Sequence, residues 1–319
     1  MRFFFRCLAA AGVLVSISSA MAQDGYPSRP IKMIVPLAAG GGTDIVARTV
    51  TQAVAQEWGA DIVVENRPGA GTTLAAQGLL SSPADGYTLM FNTASFLITP
   101  HVMPARPYDR RQFAPVSLVA ASPHVLVVSE RVPAKTLAEL VAWIKSQGGK
   151  ATYASFGNGS SGHLGSEILF RRLGVQVVHV PYRGNSPALT DVMAGHVDMM
   201  LADHVDGNIK ASKPRPIAIA NERRSEFLRD IPTVAEAGYD GYASKSWYGL
   251  VAPAGTPDAV IAKWNAAVVA ALKKPDVRKK LLDQGIDPIG SSAAEFKRFM
   301  DGEEVKYGEA IRASNIKMQ

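Results

Sequence analysis

Ile31-Lys32-Met33-Ile34-Val35-Pro36-Leu37-Ala38-Ala39-Gly40-Gly41-Gly42-Thr43-Asp44 passes from an apolar run, through three glycines, to a helix start. Ile31 to Pro36 reads as a buried strand. Thr43 is placed to cap a helix whose Val46, Val50 and Val54 recur every four residues, giving it one apolar face. A strand that exits through glycine into an amphipathic helix is the opening of an α/β unit.

The pattern continues outward from this stretch. Ile62–Glu65, Tyr87–Thr93, Ala151–Ser155, Val175–Pro181 and Met199–Ala202 read as further strands, each followed by Gly, Ser or Asn. Alternation with helical periods up to about Asn221 predicts α/β architecture with mainly parallel sheets, whose ligands bind at the carboxyl ends of the strands. Val116–Val128 and Ser244–Ala252 read as extended crossovers. A chain that leaves a first domain and later returns makes that domain discontinuous, so the expected division is residues 23–122 with 246–319, and 123–245, with a cleft between. Thr136-Leu137-Ala138-Glu139 and Ser292-Ala293-Ala294-Glu295 have capping-box spacing, and Thr256-Pro257 places a cap and a first-turn proline before a helix running past Trp264. The C-terminal third is therefore expected to be largely helical. Ile34–Val50 and Tyr153–Phe170 echo each other as strand, Gly-rich loop and helix.

A length of 319 residues suits two domains better than one. With 47% hydrophobic and 19% charged residues and a mean hydropathy of +0.05, the chain is a folded one with sizeable cores. Its net charge of +6 is spread over scattered basic pairs, which argues against nucleic acid as a partner. Arg2, the Phe run, Arg6, an apolar stretch from Cys7 to Ile17 and Ala20-Met21-Ala22 have the pattern of a secretory signal peptide over residues 1–22, cleaved after Ala22. Its removal leaves 32 basic against 28 acidic residues and no cysteine, so the processed chain has neither a disulfide nor a thiolate ligand.

Two loops carry the chemistry. Leu37 to Thr43, with Gly40, Gly41 and Gly42, lets backbone N–H groups approach a bound atom at a helix N-terminus, where partial positive charge favours an anion. Gly157-Asn158-Gly159-Ser160-Ser161-Gly162-His163 repeats this with amide and hydroxyl donors. Neither loop contains lysine or arginine, which points to a carboxylate held by neutral donors. A bulky residue at Gly41 is expected to abolish binding. Gly157-x-Gly159-x-x-Gly162 also matches a dinucleotide fingerprint, but the next strand offers no acidic ribose ligand, so no cofactor is expected. Nucleophile-elbow, zinc-protease and phosphate-loop motifs are absent, and the chain does not read as an enzyme.

His196, Asp198, Asp203, His204 and Asp206 are the densest group of metal-ligand types, but alternation along a strand points them apart, and no metal is expected. Asp203, at the end of its strand, is a candidate acceptor for a ligand amine or hydroxyl, or else a helix cap. Arg183 is the candidate cation near the cleft, or a solvated loop residue. His163 fits a structural role better than a general base. Trp247-Tyr248-Gly249 supplies either a pocket wall or core packing.

Pro36–Arg48, Glu65-Asn66-Arg67-Pro68-Gly69-Ala70-Gly71, Tyr153–His163, Val180-Pro181-Tyr182-Arg183-Gly184 and Trp247-Tyr248-Gly249-Leu250 together resemble the tripartite tricarboxylate transporter substrate-binding family, also called Bug receptors. The likeness covers essentially the whole processed chain. It implies a periplasmic binding protein of type II, two α/β domains joined by two strands in a Venus-flytrap arrangement. Such a receptor captures a small organic carboxylate and hands it to membrane permease subunits. It further implies that Leu37 to Thr43 and Asn158 to His163, including Ser160 and Ser161, grip one carboxylate, that Asp203 contributes to ligand choice, and that Asn92, Thr93 and Ala94 line the variable side. Leu37 stands where the family often has an aromatic residue. Monomer is the expected state for a hinged receptor. A sensor subunit docking on a membrane kinase and, further off, a secreted enzyme are the alternatives.

Overall fold

A computed structural model describes residues 25–314 apart from 104, 205–206, 212, 222–223 and 225–227. The expected signal peptide and Asp206 lie outside the described residues.

The chain runs β1 (Ile31–Val35), α1 (Gly42–Trp58), β2 (Ile62–Asn66), α2 (Thr73–Leu80), β3 (Thr88–Asn92), α3 (Ala94–Val102) and then the long strand β4 (Phe113–Val128). It continues with α4 (Leu137–Ser146), β5 (Thr152–Ser155), α5 (Ser161–Arg172), β6 (Val178–Pro181), α6 (Asn185–Met193), β7 (Met199–Ala202), α7 (Gly207–Lys210) and β8 (Arg215–Ala220). It returns through β9 (Lys245–Pro253) to α8 (Asp258–Lys273), α9 (Pro275–Leu282), β10 (Asp287–Pro288) and α10 (Ala293–Ser314).

The strands form one curled sheet in the order β2-β1-β3-β9-β4-β7-β5-β6, with β8 and β10 also pairing with β4. β1, β2 and β3 are mutually parallel, as are β5, β6 and β7. β4 and β9 lie antiparallel between them, with Phe113 opposite Pro253 at one end and Pro123 opposite Lys245 at the other. The first half of β4 thus belongs to one lobe and its second half, through β7 and β8, to the other. The β4–β9 register shifts twice, between Pro115 and Ser117 and between Leu118 and Ala120, and the β4–β8 register shifts between Leu126 and Val127. Each shift adds local bend and twist to the ribbon.

Both faces of both halves are covered, as parallel sheets require. In the first lobe α1, α8 and α9 bury Val46, Val50, Trp264 and Leu281 on one face, and α2, α3 and α10 bury Leu79, Phe96 and Phe296 on the other. In the second, Leu140, Tyr153 and Phe170 fill one face, and Leu189, Val192 and Ile209 the other.

Four local expectations shift. Gly41, not Thr43, is the N-cap of α1: the glycine adopts the extended cap conformation, Thr43 falls inside the helix, and its buried Oγ1 has no partner. Pro257 takes the cap position of α8, while the Thr256 hydroxyl donates back to the Pro253 carbonyl. β6 starts at Val178 because Gly174, at φ 65°, ends the preceding turn and Val175 N–H is held by the Phe170 carbonyl. β8 is a strand beyond those expected: Arg215-Pro216-Ile217-Ala218-Ile219-Ala220 pairs with β4 despite its proline. Thr136 caps α4 as expected, and Ser292 and Glu295 exchange the two capping-box hydrogen bonds.

Candidate functional site

The carboxyl ends of β1, β2, β5 and β6 meet, with the start of α3, around a cavity of about 430 Å³ between the two lobes. The first lobe contributes Pro36 and Leu37, the segment Pro68 to Thr72 with Leu74, and Ser95; the second contributes Phe156 to Asn158 and Pro181 to Arg183. Arg183 is the one charged residue in this lining. Its guanidinium has no carboxylate partner among the described residues. The Asn158 side chain, in the neighbouring loop of the same lobe, likewise has no hydrogen-bond partner among them. Leu74 is 52% exposed at the rim, an apolar side chain offered to whatever fills the space.

The lobes touch around the cavity. Ala38 N–H donates to the Arg183 carbonyl at 3.1 Å, and the Tyr248 hydroxyl donates to the Asp203 carbonyl at 3.1 Å. The glycine loop fits into this junction. A Cβ at Gly40 would lie 3.1 Å from Ser186 Oγ, and one at Gly42 only 2.3 Å from the Tyr248 hydroxyl and 3.1 Å from Asp203 Oδ2. The closer of the two contacts at Gly42 is within the first lobe, between α1 and β9; the approach to Asp203 is the one that crosses the junction. Gly41 has more room, with Asn185 Cβ 3.7 Å away.

The loop's own donors are partly spent. Gly40 N–H donates to Asp44 Oδ2 at 3.0 Å, and Arg48 and Asn66 Nδ2 hold the same carboxylate. Burial raises the Asp44 pKa, but hydrogen bonds from Arg48, Gly40 and Asn66 outweigh it and leave the group below its ordinary value. In the second loop Ser160 is the N-cap of α5 and accepts from His163 N–H, while Gly159 N–H donates to His163 Nδ1 at 3.3 Å. The His163 ring stacks on His179 (4.0 Å, 7°), which stacks in turn on Tyr153 (4.8 Å, 21°). Burial lowers the pKa of His163 and takes His179 down to about 3, with His163 adding to the latter shift. His163 buttresses its loop from behind.

Asp203 is buried at the lobe junction. Its Oδ1 meets His204 Nδ1 at 2.5 Å, and its N–H donates to Asn185 Oδ1. It does not line the cavity. Asn92 and Ala94 are fully buried; Asn92 Nδ2 points to Met300 Sδ at 3.6 Å, and Ser95, one residue beyond Ala94, is the α3 residue that reaches the cavity. Trp247 is core, edge-on to Phe296 and Phe299, with its indole N–H donated to the Tyr307 hydroxyl. The metal-ligand types scatter: Asp198 accepts from Thr152, and exposed His196 lies beside Asp191.

Residues 46–316 match the model of the tripartite tricarboxylate transporter family receptor, TctC. The chain belongs to the TctC family. This TctC-family chain is 37% identical over 90% of its length to a UPF0065 protein from the tcbD–tcbE intergenic region of Pseudomonas sp. strain P51, 87% of which is covered. Its fold matches an R. palustris protein solved with adipate (TM-score 0.88, 30% identity, 92% of this chain and 99% of that one). It also matches MatC from Rhodopseudomonas palustris with bound malate (TM-score 0.83, 32% identity, 90% of this chain and all of that one). The TctC-family chain thus has the expected fold, a two-domain α/β periplasmic binding protein of type II.

Of the thirteen residues singled out in the sequence, Leu37, Asn158 and Arg183 line the cavity. Gly40, Gly41, Gly42, Thr43 and Asp203 form or flank the lobe junction. Ser160, Ser161 and His163 shape the second loop from behind, and Asn92 and Ala94 are core. Outside that set, the cavity is also lined by Pro36, Pro68 to Thr72 with Leu74, Ser95, Phe156, Gly157, Pro181 and Tyr182. The Pro68 segment had a visible signal, glycine and proline directly after a strand, and its backbone is unusual: Ala70 and Thr72 have φ of 45° and 76° without being glycine. Such conformations gather at ligand-facing turns.

Proposed function

We propose that this TctC-family chain is a periplasmic receptor that closes on a small organic carboxylate between its two lobes and delivers it to membrane subunits of a tripartite transporter. The lobes are residues 23–122 with 246–319, and 123–245, and the working unit is a monomer. Leu37, Asn158 and Arg183 face the ligand, and Gly40 to Thr43, Ser160 to His163 and Asp203 hold the walls that present them. The observation that carries this reading is the cavity lining: an Arg183 with no carboxylate partner among the described residues, no acidic residue, and otherwise uncharged polar and apolar groups. An anion entering it meets one opposite charge and no repulsion. The malate and adipate bound by structural relatives are of the same chemical class. Ligand that bridges both lobes favours the closed state by its extra contacts there. Binding and release, with no covalent step, make up the whole cycle.

A thermal-shift screen of the processed protein tests this, using L-malate, adipate, a monocarboxylate, a neutral sugar and a divalent cation. The expected result is stabilisation by a carboxylate, confirmed by calorimetry. Stabilisation by the sugar or the cation alone overturns it.

A further inference from the structure

His124 lies in the second half of β4, just past the crossing between lobes, with no exposed surface, and the receptor cycle gives it no task. Its partners come from three places in the chain. Nδ1 is 2.8 Å from Ser244 Oγ, just ahead of β9, and Nε2 is 3.0 Å from Ser246 Oγ, in β9. Ser161 Oγ, in the first turn of α5, is 3.3 Å from the same Nε2 and 3.4 Å from Ser246 Oγ. Ser244 and Ser246 share a face of their strand because side chains alternate, so the imidazole is clasped between them while Ser161 reaches in from the start of α5. On its flank the ring meets Phe156 edge-on at 5.8 Å and 69°. Phe156 lines the cavity, and its ring leaves no room for a side chain at Gly162, where a Cβ would lie 2.4 Å away.

Both ends of the ligand-facing loop therefore abut one imidazole: Phe156 before it and Ser161 after it. A neutral ring donates from one nitrogen and accepts at the other, and serine hydroxyls rotate to match, so these contacts form a satisfied buried network. Burial keeps the ring neutral, with its pKa pushed down to about 4 against an opposing pull from Asp203.

We infer that His124 is a positioning residue for ligand binding, tying the loop of Phe156 to Ser160 to the two strands that connect the lobes, so that loop and hinge move as one unit. Ser161 serves this tie through its hydroxyl and acts on the ligand through the loop. The inference rests on the receptor reading for its effect on affinity, but the tie itself is a property of the ligand-free protein.

The experiment compares wild type, His124→Phe, Ser161→Ala and the double variant as full processed chains. Hydrogen–deuterium exchange without ligand reads the tie. Amides 156–162 are expected to lose protection about tenfold in each single variant, the scale of one lost hydrogen bond, while β5 and β7 keep theirs. Calorimetry with adipate and with L-malate reads the consequence: about tenfold weaker binding in each single variant and no further loss in the double. Unchanged exchange at 156–162 overturns the tie, and so does loss of protection throughout the second lobe, which marks a purely structural core residue. Full additivity in the double variant assigns Ser161 a direct ligand contact and overturns the positioning role. If wild type binds neither acid, the receptor reading for these ligands fails, and the exchange result still decides the tie. Ser161→Ala removes a single oxygen and keeps the question open to measurement should His124→Phe fold poorly.

Discussion

Gly42→Ala is the most direct probe of the contact between lobes. The added methyl would sit 2.3 Å from the Tyr248 hydroxyl, which must withdraw about 1 Å to reach ordinary contact. That hydroxyl is buried and donates to the Asp203 carbonyl across the junction, so withdrawal leaves both atoms short of a partner in the closed state. A buried group left unsatisfied costs about 1–3 kcal/mol. In an open state Asp203 would no longer stand opposite, and the phenol's withdrawal would leave no carbonyl across the junction unpaired. The helix-propensity gain of alanine over glycine, about 1 kcal/mol, is the same in both states and cancels from the affinity. The net expectation is weaker ligand binding by about 2 kcal/mol, or about 30-fold, with a melting temperature of the ligand-free protein that is unchanged or higher. Calorimetry with whichever of adipate or L-malate binds wild type measures the first quantity, and a thermal scan the second. Gly41→Ala is the control, since its methyl meets nothing closer than Asn185 Cβ at 3.7 Å, an ordinary contact. Affinity for Gly42→Ala within twofold of wild type, at intact fold, rules out a role for the Tyr248–Asp203 contact in closure.

Arg183→Gln should weaken binding of a dicarboxylate about tenfold, the lower end for a charged hydrogen bond at an exposed position, and make what remains less sensitive to salt; equal affinity in low and high salt for wild type would contradict it. Acid should destabilise the second lobe through two buried histidines and one half-buried one. His124, His163 and His179 all resist protonation in the fold, and an unfolded histidine takes its proton near pH 6.5. The unfolded chain then binds more protons, so stability is complete above about pH 6.5 and falls as the pH drops towards about 4. Urea midpoints at pH 7.0, 5.5 and 4.5 should decline in that order, with a shallower decline in His124→Phe; a flat series rules this out.

Periodicity carries far in this chain because most strands are buried on both faces and announce themselves as apolar runs. β1, β2, β5 and β7 fall within a residue or so of where the residues alone place them. β8 escaped because a proline precedes a run of only four apolar residues, and what makes it a strand is the flank of β4 left open beyond β9. The site was legible as loops rather than as atoms. Nothing in Gly40-Gly41-Gly42 reveals that Asp44 already accepts the Gly40 N–H or that Tyr248 stands against Gly42. Nothing in Ser160-Ser161-Gly162-His163 reveals that these side chains turn inward to His124 and to the loop's own backbone. Which donors remain for a ligand is decided by partners up to 206 residues away in sequence, as Gly42 and Tyr248 show. Arg183 was recognisable as a cation beside the cleft, but its lack of a carboxylate partner is a fact of the folded arrangement alone.

The three register shifts along β4 also bear on how such a receptor would open. A regular ladder resists shear and torsion along its whole length, whereas each offset residue is a point of compliance. Spread along one strand, these points would divide the rotation of one lobe against the other into small increments, none of which breaks the pairing. Opening would then be gradual, without a sharply defined pivot, and single substitutions within the ribbon should retune its stiffness by degrees.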